Sequence, residues 1–406
     1  MTAGNPTAWH AARLRAYEAA SALPVEQVAL ADAVGRKLAA DITALIDVPH
    51  YASSAMDGWA VAGQAPWTVV ESGPLKPGEA IRIVTGGLVP VGARAVLRSE
   101  SGREDQSADG IGLDRTGAAS AEEPRDGMHI RPAGEEARAG ELVCEAGVTL
   151  NPAHVAVAAV CGHDVLTVAR RARVDLVFTG DEVVTAGIPG PGQVRDSFGP
   201  QLHSLIEMLG GRTATERRLP DSLDELTTAL TTATAPALTT ASPSPAYAPA
   251  DLIVTTGGTG HSSADHLHDA LEAAGARILI DGIGMRPGGP TVLALLPDGQ
   301  FVVGLPGNPL AAMMGVFTVV QPLLAAMHGV GLPALGRVAI GQDLSTGRGR
   351  IRLIPYLVRD GHAVTSDWHG SGMLRGLAEA DGVLVCPEDG ARAGDQVQTL
   401  TLPWTR

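Results

Sequence analysis

The feature that most constrains the fold of this 406-residue chain is a set of three apolar segments that each run into a glycine-containing turn. The segments are Val174–Phe178, Asp251–Thr256 and Phe301–Val303, and helix-like stretches separate them. Strands that alternate with helices predict a doubly wound α/β domain with a mostly parallel sheet. In such a domain the carboxyl ends of the strands lie along one edge, where ligands bind. The three turns are therefore expected to meet at one site.

The third turn is the most distinctive, because a helix follows it directly. Pro306 and Gly307 form the turn itself. Asn308 is expected to cap the helix through its side-chain oxygen, and Pro309 falls at the first helical position, where a missing N–H costs nothing. Backbone N–H groups exposed at such a turn suit an anion such as phosphate. Taken alone, the same pattern also describes a turn that binds no ligand.

The first two turns add glycines, hydroxyls and carboxylates. Asp181 and Glu182 follow the first strand, and Gly257, Gly258 and Thr259 follow the second, with Asp265 a little further on. The glycines allow a ligand to approach closely, and carboxylates from separate turns can bind a metal ion. The combined pattern predicts an anion and metal site. Asp265 has an alternative role, because it forms with Ser262 a pattern typical of a helix cap.

The composition of the chain changes several times along its length, which indicates more than one domain. Residues 231–249 are rich in Thr, Ala, Ser and Pro and are expected to form a flexible insert. The expected domains are a helical and extended linking domain (1–48 with 141–168), a small β-rich domain (49–140), an α/β domain (169–329) and a C-terminal all-β domain (330–406).

Apolar spacing predicts the helices that surround these domains. Ala8–Ala22 and Pro24–Ala40 have apolar residues at intervals of three to four and are expected to be two short helices. A third helix is expected to begin at Asn151-Pro152, a cap followed by a first-turn proline. Leu310–Met327 is apolar enough to resemble a membrane span. Because it contains Thr318, Gln321 and Pro322, a core helix broken near the proline is expected instead.

Charge and cysteine content limit the partners of the chain. The formal net charge is −14, whereas nucleic acids and anionic membranes both attract a basic face. Neither partner is expected. The three cysteines lie far apart without a CxxC pair, which argues against a disulfide framework and a structural zinc site. A cytoplasmic location is expected.

Five strings of residues occur in one order over most of the chain. They are SSAMDGWAV (53–61), IRIVTGG (81–87), FTGDEVV (178–184), TTGGTG (255–260) and VVGLPGNPLAAMM (302–314). Each string is modest by itself, but the ordered set resembles the molybdopterin molybdenumtransferase family, which includes the E domain of gephyrin. The chain resembles a divergent member of that family between about residues 24 and 400.

The resemblance implies a function and a set of partners. The expected reaction inserts molybdenum from molybdate into adenylylated molybdopterin (molybdopterin-AMP), releases AMP and uses Mg²⁺. The expected assembly is a homodimer. The resemblance gives catalytic roles to Asp57, Thr85, Glu182, Asp251 and Asp265, of which Glu182 and Asp265 would also bind the metal. The resemblance and the glycine turns together predict cofactor-binding roles, toward pterin or phosphate, for Gly257, Gly258, Thr259, Arg286, Pro306, Gly307, Asn308 and Pro309.

The chain also departs from the family pattern at positions that would carry positive charge. Gly282 and Gly289 stand where the family has lysines, and Arg286 keeps one cation between them. Phe198 stands where the family has an asparagine. Two alternatives to the enzyme therefore remain: a catalytically weakened paralogue that binds pterin or nucleotide, and a dimeric scaffold. A scaffold does not need the full catalytic set, so its retention favours the enzyme: Asp57, Thr85, Glu182, Asp251 and Asp265.

Overall fold

The computed structural model describes residues 6–108, 110–119, 123–231, 249–259, 266–345 and 349–405. The chain divides into two compact units. One unit joins Met1–Pro24 to Ala169–Arg406, and the other is Val25–Val168. At the N-terminus this division differs from the domains drawn from the sequence, because residues 1–24 belong with the α/β unit rather than with a linking domain.

The first helix, α1 (Trp9–Ala19), explains this difference. Its buried Trp9 indole N–H donates to the Thr318 hydroxyl at 3.0 Å, and Arg13 donates to the Pro333 carbonyl at 2.6 Å. Burial lowers the pKa of Arg13 to about 10. The helix predicted at Ala8–Ala22 is therefore confirmed, and it packs into the core of the α/β unit.

The helix predicted at Pro24–Ala40 is wrong. The segment forms strand β1 (Val25–Ala29) and a short 3₁₀ turn, Leu30–Asp32. Burial alternates along β1, as expected for a strand with one face against the protein. Pairing with a distant strand outweighs the weak helical spacing, because local propensity is only a prior.

The unit Val25–Val168 is mainly β-structure with one helix. After β1 it contains β2 (Ile42–Thr43), β3 (Ser53–Ser54), β4 (Gly58–Val61), β5 (Trp67–Val69), β6 (Glu79–Ile83), β7 (Ala95–Arg98), β8 (Gly102–Ser107), β9 (Gly110–Arg115), β10 (Ile130–Arg131), β11 (Leu142–Cys144), α2 (Pro152–Val160) and β12 (Val165–Ala169). Its main sheet has the order β7-β4-β6-β5-β9-β8, and β1 pairs with β12, β2 with β11 and β3 with β10. The predicted start of α2 is confirmed: Asn151 and His154 form a reciprocal capping box.

The second part of the α/β unit is built on a six-stranded sheet. Its elements are β13 (Arg173–Phe178), β14 (Val183–Val184), β15 (Val194–Arg195), α3 (Gly199–Met208), β16 (Arg212–Arg218), α4 (Leu223–Thr231), β17 (Leu252–Thr256), α5 (Leu267–Ala273), β18 (Arg277–Asp281), β19 (Met285–Arg286), β20 (Val292–Leu295), β21 (Phe301–Leu305), α6 (Pro309–Gly315) and α7 (Gln321–Met327). The sheet order is β16-β13-β17-β21-β20-β18. Strands β16, β13, β17 and β21 are parallel, and β20 runs antiparallel to both β21 and β18.

Both faces of this sheet are covered, as a doubly wound fold requires. One core contains residues of α1, α3, α6 and α7, and the other contains residues of α4 and α5. The three strands predicted from apolar runs are adjacent in the sheet, so the predicted fold class is confirmed.

The apolar run at Pro309–Met327 is one helical stretch rather than two. A π-helical segment, Val316–Val320, joins α6 to α7, and Gln321 N–H donates to the Val316 carbonyl. The wider turn accommodates Pro322, which lacks an N–H, without a break. Among the described residues it is the one helix long and apolar enough to cross a membrane, and 94% of the apolar window is buried inside the protein.

The C-terminal part of the chain forms a second sheet in the same unit. It contains β22 (Gly336–Ala339), β23 (Ile351–Arg359), β24 (His362–Thr365), α8 (Arg375–Ala378), β25 (Gly382–Cys386) and β26 (Gln396–Leu400). The strand order is β19-β23-β25-β26-β22, with β24 paired to β23. The short strand β19 therefore ties the α/β segment to this sheet.

Candidate active site

A cavity of about 770 Å³ lies at the carboxyl ends of the parallel strands. Phe178 ends β13 and Thr256 ends β17, and the two residues are register partners. The chain after β21 supplies a third wall through Pro306 and Gly307. The three glycine turns predicted to meet at one edge of the sheet therefore do meet, and they line this cavity.

The turn after β13 carries Glu182 into the cavity. The Thr179 hydroxyl donates to the Thr256 carbonyl at 2.8 Å, which joins the first turn to the neighbouring strand. Gly180 has a φ of +123°, and a side chain there would crowd Val183 and the Glu182 carboxylate. Glycine is thus required at the bend. The Glu182 side chain itself is exposed and free to meet a ligand.

The turn after β17 brings backbone close to the first turn. Gly257 and Gly258 have φ values of +85° and +64°. A Cβ on Gly257 would lie 2.8 Å from the Thr179 hydroxyl oxygen, so the two turns pack too closely for a side chain. Thr259 is buried and lines the cavity. Asp265 lies outside the described residues, and its metal-binding role stays a prediction.

The turn after β21 leads into α6 as predicted, with Pro309 at its first position. The expected side-chain cap from Asn308 is absent. Instead, Ala311 N–H donates to the Ser371 carbonyl at 3.1 Å. A segment from the C-terminal part of the chain therefore supplies an acceptor that the local sequence could not reveal. Asn308 still lines the cavity.

Four charged residues that line the cavity were not predicted from the sequence as site residues. They are Arg195, Asp196, Arg218 and Asp221. Arg218 ends β16 and Asp221 follows it, but β16 is an edge strand made almost entirely of polar residues (RTATERR), so no apolar run marks it. The amide N–H of Asp181 donates to the Asp221 carboxylate at 3.2 Å, which links this strand end to the first turn.

Asp251 is not brought to the cavity. It precedes β17, at the end of the sheet opposite the turns, and a five-residue strand spans about 16 Å. Its carboxylate accepts two hydrogen bonds from Arg170, at 2.8 and 3.0 Å, and one from the Arg173 amide at 2.8 Å. These contacts hold the Asp251 carboxylate in place outside the described lining, and its catalytic role stays a prediction.

Arg286 is also absent from the described lining of the cavity. It lies exposed on β19, in register with Arg352 of β23, so pairing with the C-terminal sheet fixes its position. Gly282 has a φ of +75°, which a lysine there would strain to adopt. A Cβ on Gly289 would lie 3.1 Å from the Met285 carbonyl oxygen. The backbone of this segment is thus shaped around its glycines.

The remaining two predicted residues lie together in the unit Val25–Val168. The Asp57 carboxylate accepts a hydrogen bond from the Thr85 amide at 2.7 Å, and the Asp57 carbonyl accepts one from Ser99 at 2.9 Å. Gly58 has a φ of +149° and passes so close to the Leu97 carbonyl that a side chain would clash. The Asp57-Gly58 turn is therefore a fixed scaffold that presents one carboxylate and the exposed Thr85.

No group of three or more His, Cys, Asp or Glu side chains among the described residues could hold a metal ion by itself. Mg²⁺ does not require such a cage, because it commonly binds one or two carboxylates and takes its other oxygens from water and phosphate. The exposed Glu182 carboxylate in the cavity fits that donor set. Cys144, Cys161 and Cys386 are all buried, and burial raises the pKa of each thiol.

Comparison with known proteins bears directly on this architecture. Three family models match in order: the MoeA N-terminal region (domains I and II) at residues 8–162, a probable molybdopterin-binding domain at 175–326 and the MoeA C-terminal region (domain IV) at 337–402. The chain is similar to proteins named molybdopterin molybdenumtransferase from Nostoc sp. (29% identity, 93% of this chain, 89% of the relative) and Staphylococcus aureus strain COL (28% identity, 98% and 96%).

A solved structure gives the same result. A molybdopterin biosynthesis MoeA protein from Pyrococcus horikosii matches with 25% identity and a TM-score of 0.75, covering 99% of this chain and 100% of that one. The matches in order define a multidomain protein whose α/β segment is similar to a probable molybdopterin-binding domain. The chain belongs to the MoeA family, the molybdopterin molybdenumtransferases of molybdenum cofactor biosynthesis. The resemblance drawn from the motifs is confirmed.

Proposed function

We propose that this protein inserts molybdenum from molybdate into adenylylated molybdopterin and releases AMP. The observation that carries the proposal is the 770 Å³ cavity, where the three glycine turns and the Glu182 carboxylate converge. We further propose that the protein acts in the cytoplasm as a homodimer and that Mg²⁺ assists the reaction.

The groups around the cavity fit an anionic, heterocyclic substrate. Backbone N–H groups at Gly258 and Gly307 can donate to pterin or phosphate oxygens, whereas the Gly257 N–H already donates to the Leu305 carbonyl at 2.9 Å. The buried Thr259 adds a hydroxyl. Preorganised donors of this kind hold a substrate and stabilise charge that develops on it. Turns held by the sheet keep these donors in place before the substrate arrives.

Glu182 is the described residue that would hold Mg²⁺, and Asp265, outside the described residues, would join it. When bound, Mg²⁺ would neutralise negative charge on the leaving phosphate. In the unit Val25–Val168, Asp57 holds the Thr85 amide and keeps that turn closed. We propose that Asp57 and Thr85 take part in the same reaction.

The weakened paralogue remains the second candidate. It is favoured by the glycines at 282 and 289 and by the position of Arg286 on β19, because no cation from that segment lines the described cavity. A protein of this kind would bind molybdopterin-AMP without turning it over.

AMP release separates the two candidates. The purified chain is mixed with molybdopterin-AMP, molybdate and Mg²⁺, and AMP is measured by chromatography. We expect Mg²⁺-dependent AMP release, and we expect Glu182→Ala to reduce it at least about tenfold, because one metal ligand is lost. The matched control is Glu272→Ala, an exposed glutamate on α5 outside the described cavity lining.

Two outcomes contradict the proposal. Binding of molybdopterin-AMP without AMP release by the wild-type chain supports the paralogue instead. Full activity of Glu182→Ala with unchanged Mg²⁺ dependence removes Glu182 from the metal site. Complementation of a bacterial strain that lacks molybdenumtransferase activity provides the cellular counterpart, with a molybdoenzyme assay as readout.

A further inference from the structure

The charge of the cavity is the starting point, because the proposed substrates are anions. The charged side chains in its described lining are Glu182, Arg195, Asp196, Arg218 and Asp221. Carboxylates outnumber guanidinium groups there, and the whole chain carries a formal charge of −14. These carboxylates repel an oxyanion that enters the cavity. A guanidinium group close to the bound oxyanion would offset that repulsion, and either Arg195 or Arg218 could supply it.

The two arginines differ in how firmly they are held. Arg195 is exposed on β15, and its hydrogen bond to the Val184 carbonyl is long, at 3.4 Å. Arg218 ends β16, where its guanidinium carbon lies 4.8 Å from the centroid of the Phe178 ring and one amino group donates to Asp196. An aromatic ring and a carboxylate thus fix the guanidinium of Arg218 in one position.

Asp196 is engaged through both of its oxygens. Its side chain is only 6% exposed, against 38% for Arg218. Oδ1 accepts hydrogen bonds from the amides of Phe198 at 3.0 Å and Gly199 at 3.2 Å, and Oδ2 accepts one from Arg218. Guanidinium has five N–H donors, and within the described part of the chain the donors that Asp196 does not use have no partner. Arg218 is therefore held in place yet still able to bind.

We propose that Arg218 is the residue that binds the oxyanion of the substrate in this cavity. Asp196 holds the Arg218 guanidinium in position. Because its negative charge neutralises part of the guanidinium charge, it also weakens the attraction between Arg218 and the oxyanion. The ligand class is a tetrahedral oxyanion, which a guanidinium can bind through two parallel hydrogen bonds. Molybdate and the phosphate of the nucleotide-bearing substrate share this chemistry. The inference rests on the proposed function and adds a cation where the segment 282–290 supplies none to the described lining.

The test measures binding directly. Titration calorimetry is performed on the full-length chain with molybdate, inorganic phosphate and AMP as separate ligands. We expect Arg218→Gln to weaken at least one of them about 10- to 100-fold, the usual worth of a charge-assisted hydrogen bond. Arg218→Lys should recover part of the loss. The matched control is Arg212→Gln, because Arg212 is exposed at the opposite end of the same strand. It should bind like wild type.

A second variant separates anion binding from a structural role. Asp196→Asn keeps Oδ1 as acceptor for the two amides but removes the negative charge beside Arg218. We expect it to bind the same oxyanion about three- to tenfold more tightly, because a competing charge is gone. If the pair only stabilised the fold, both Arg218→Gln and Asp196→Asn would lower the urea midpoint and neither would tighten binding.

The outcomes divide as follows. Loss with Arg218→Gln and gain with Asp196→Asn support the proposal, and the ligand affected identifies the bound group as molybdate or phosphate. Wild-type affinity in Arg218→Gln, with AMP release intact in the wild-type chain, overturns the role of Arg218 but leaves the proposed function standing. Absence of both oxyanion binding and AMP release in the wild-type chain overturns the two together.

Discussion

Asp251 shows how position within a strand decides what a carboxylate can do. The same residue type at the carboxyl end of a parallel strand would face the ligand edge. At the amino end of β17, Asp251 instead accepts three hydrogen bonds from Arg170 and the Arg173 backbone, with a side chain 17% exposed. Asp221, after the edge strand β16 of the same sheet, lines the cavity. The position of each aspartate in the sheet therefore decides whether its side chain lines the cavity.

Asp251→Ala is therefore expected to change stability rather than catalysis. The change removes the partly buried carboxylate that accepts three hydrogen bonds, from Arg170 and the Arg173 amide, which costs about 1–3 kcal/mol of unfolding free energy. AMP release per folded molecule, measured well below the denaturation midpoint, should stay within about twofold of wild type. Urea unfolding measures the first quantity, and Asp389→Ala, at an exposed turn, is the control. A catalytic role would appear as lost AMP release at unchanged stability.

At the scale of elements, a buried hydrogen bond between two side chains anchors helix α1. The Trp9 indole N–H and the Thr318 hydroxyl are 3.0 Å apart, and both residues are buried. This contact joins the N-terminal helix to the π-helical segment between α6 and α7. The contact spans 309 positions of sequence, so no local pattern could predict it.

A double-mutant cycle measures this contact. Thr318→Val leaves the Trp9 N–H buried without an acceptor and should lower the unfolding free energy by about 1–3 kcal/mol. Trp9→Phe removes the N–H donor and also leaves a small cavity in the core, because phenylalanine is smaller than tryptophan. Combining the two should cost less than the sum of the single changes, since the second change no longer breaks a hydrogen bond. Additive urea-unfolding energies would mean that the hydrogen bond contributes nothing measurable.

The elements also show how much the sequence could predict. Strands β13, β17 and β21 were predictable because buried central strands are apolar throughout. Strand β16 was not, because this edge strand is made almost entirely of polar residues, and with it Arg218 and Asp221 were missed. Strand β1 was mistaken for a helix because its partner lies far along the chain. The side-chain cap predicted at Asn308 is absent for the same reason, because the Ser371 carbonyl supplies an acceptor from another part of the chain.

At the scale of the whole molecule, the predicted residues are divided between two compact units. Asp57 and Thr85 belong to Val25–Val168, whereas Glu182 and the glycine turns belong to the other unit. We propose a homodimer in which the two sets act together across subunits, as the family resemblance implies. Sedimentation equilibrium at micromolar concentration should give the mass of two 41.6 kDa chains. A monomer at that concentration would contradict the assembly.

Mixing two inactive variants tests whether the sites are shared. Asp57→Ala and Glu182→Ala should each release little AMP alone. In a two-fold symmetric dimer with shared sites, a mixed dimer of the two variants contains one intact site, so random re-association should restore about a quarter of wild-type activity. The subunits are exchanged by dilution and reconcentration, and AMP release is measured before and after.

The control mixes Asp57→Ala with Thr85→Ala, whose altered residues lie in the same unit and are joined by a hydrogen bond, so that no mixed site is complete. Recovery only in the first mixture supports the shared site, whereas no recovery in a mixture shown to contain mixed dimers means that each subunit carries its site alone.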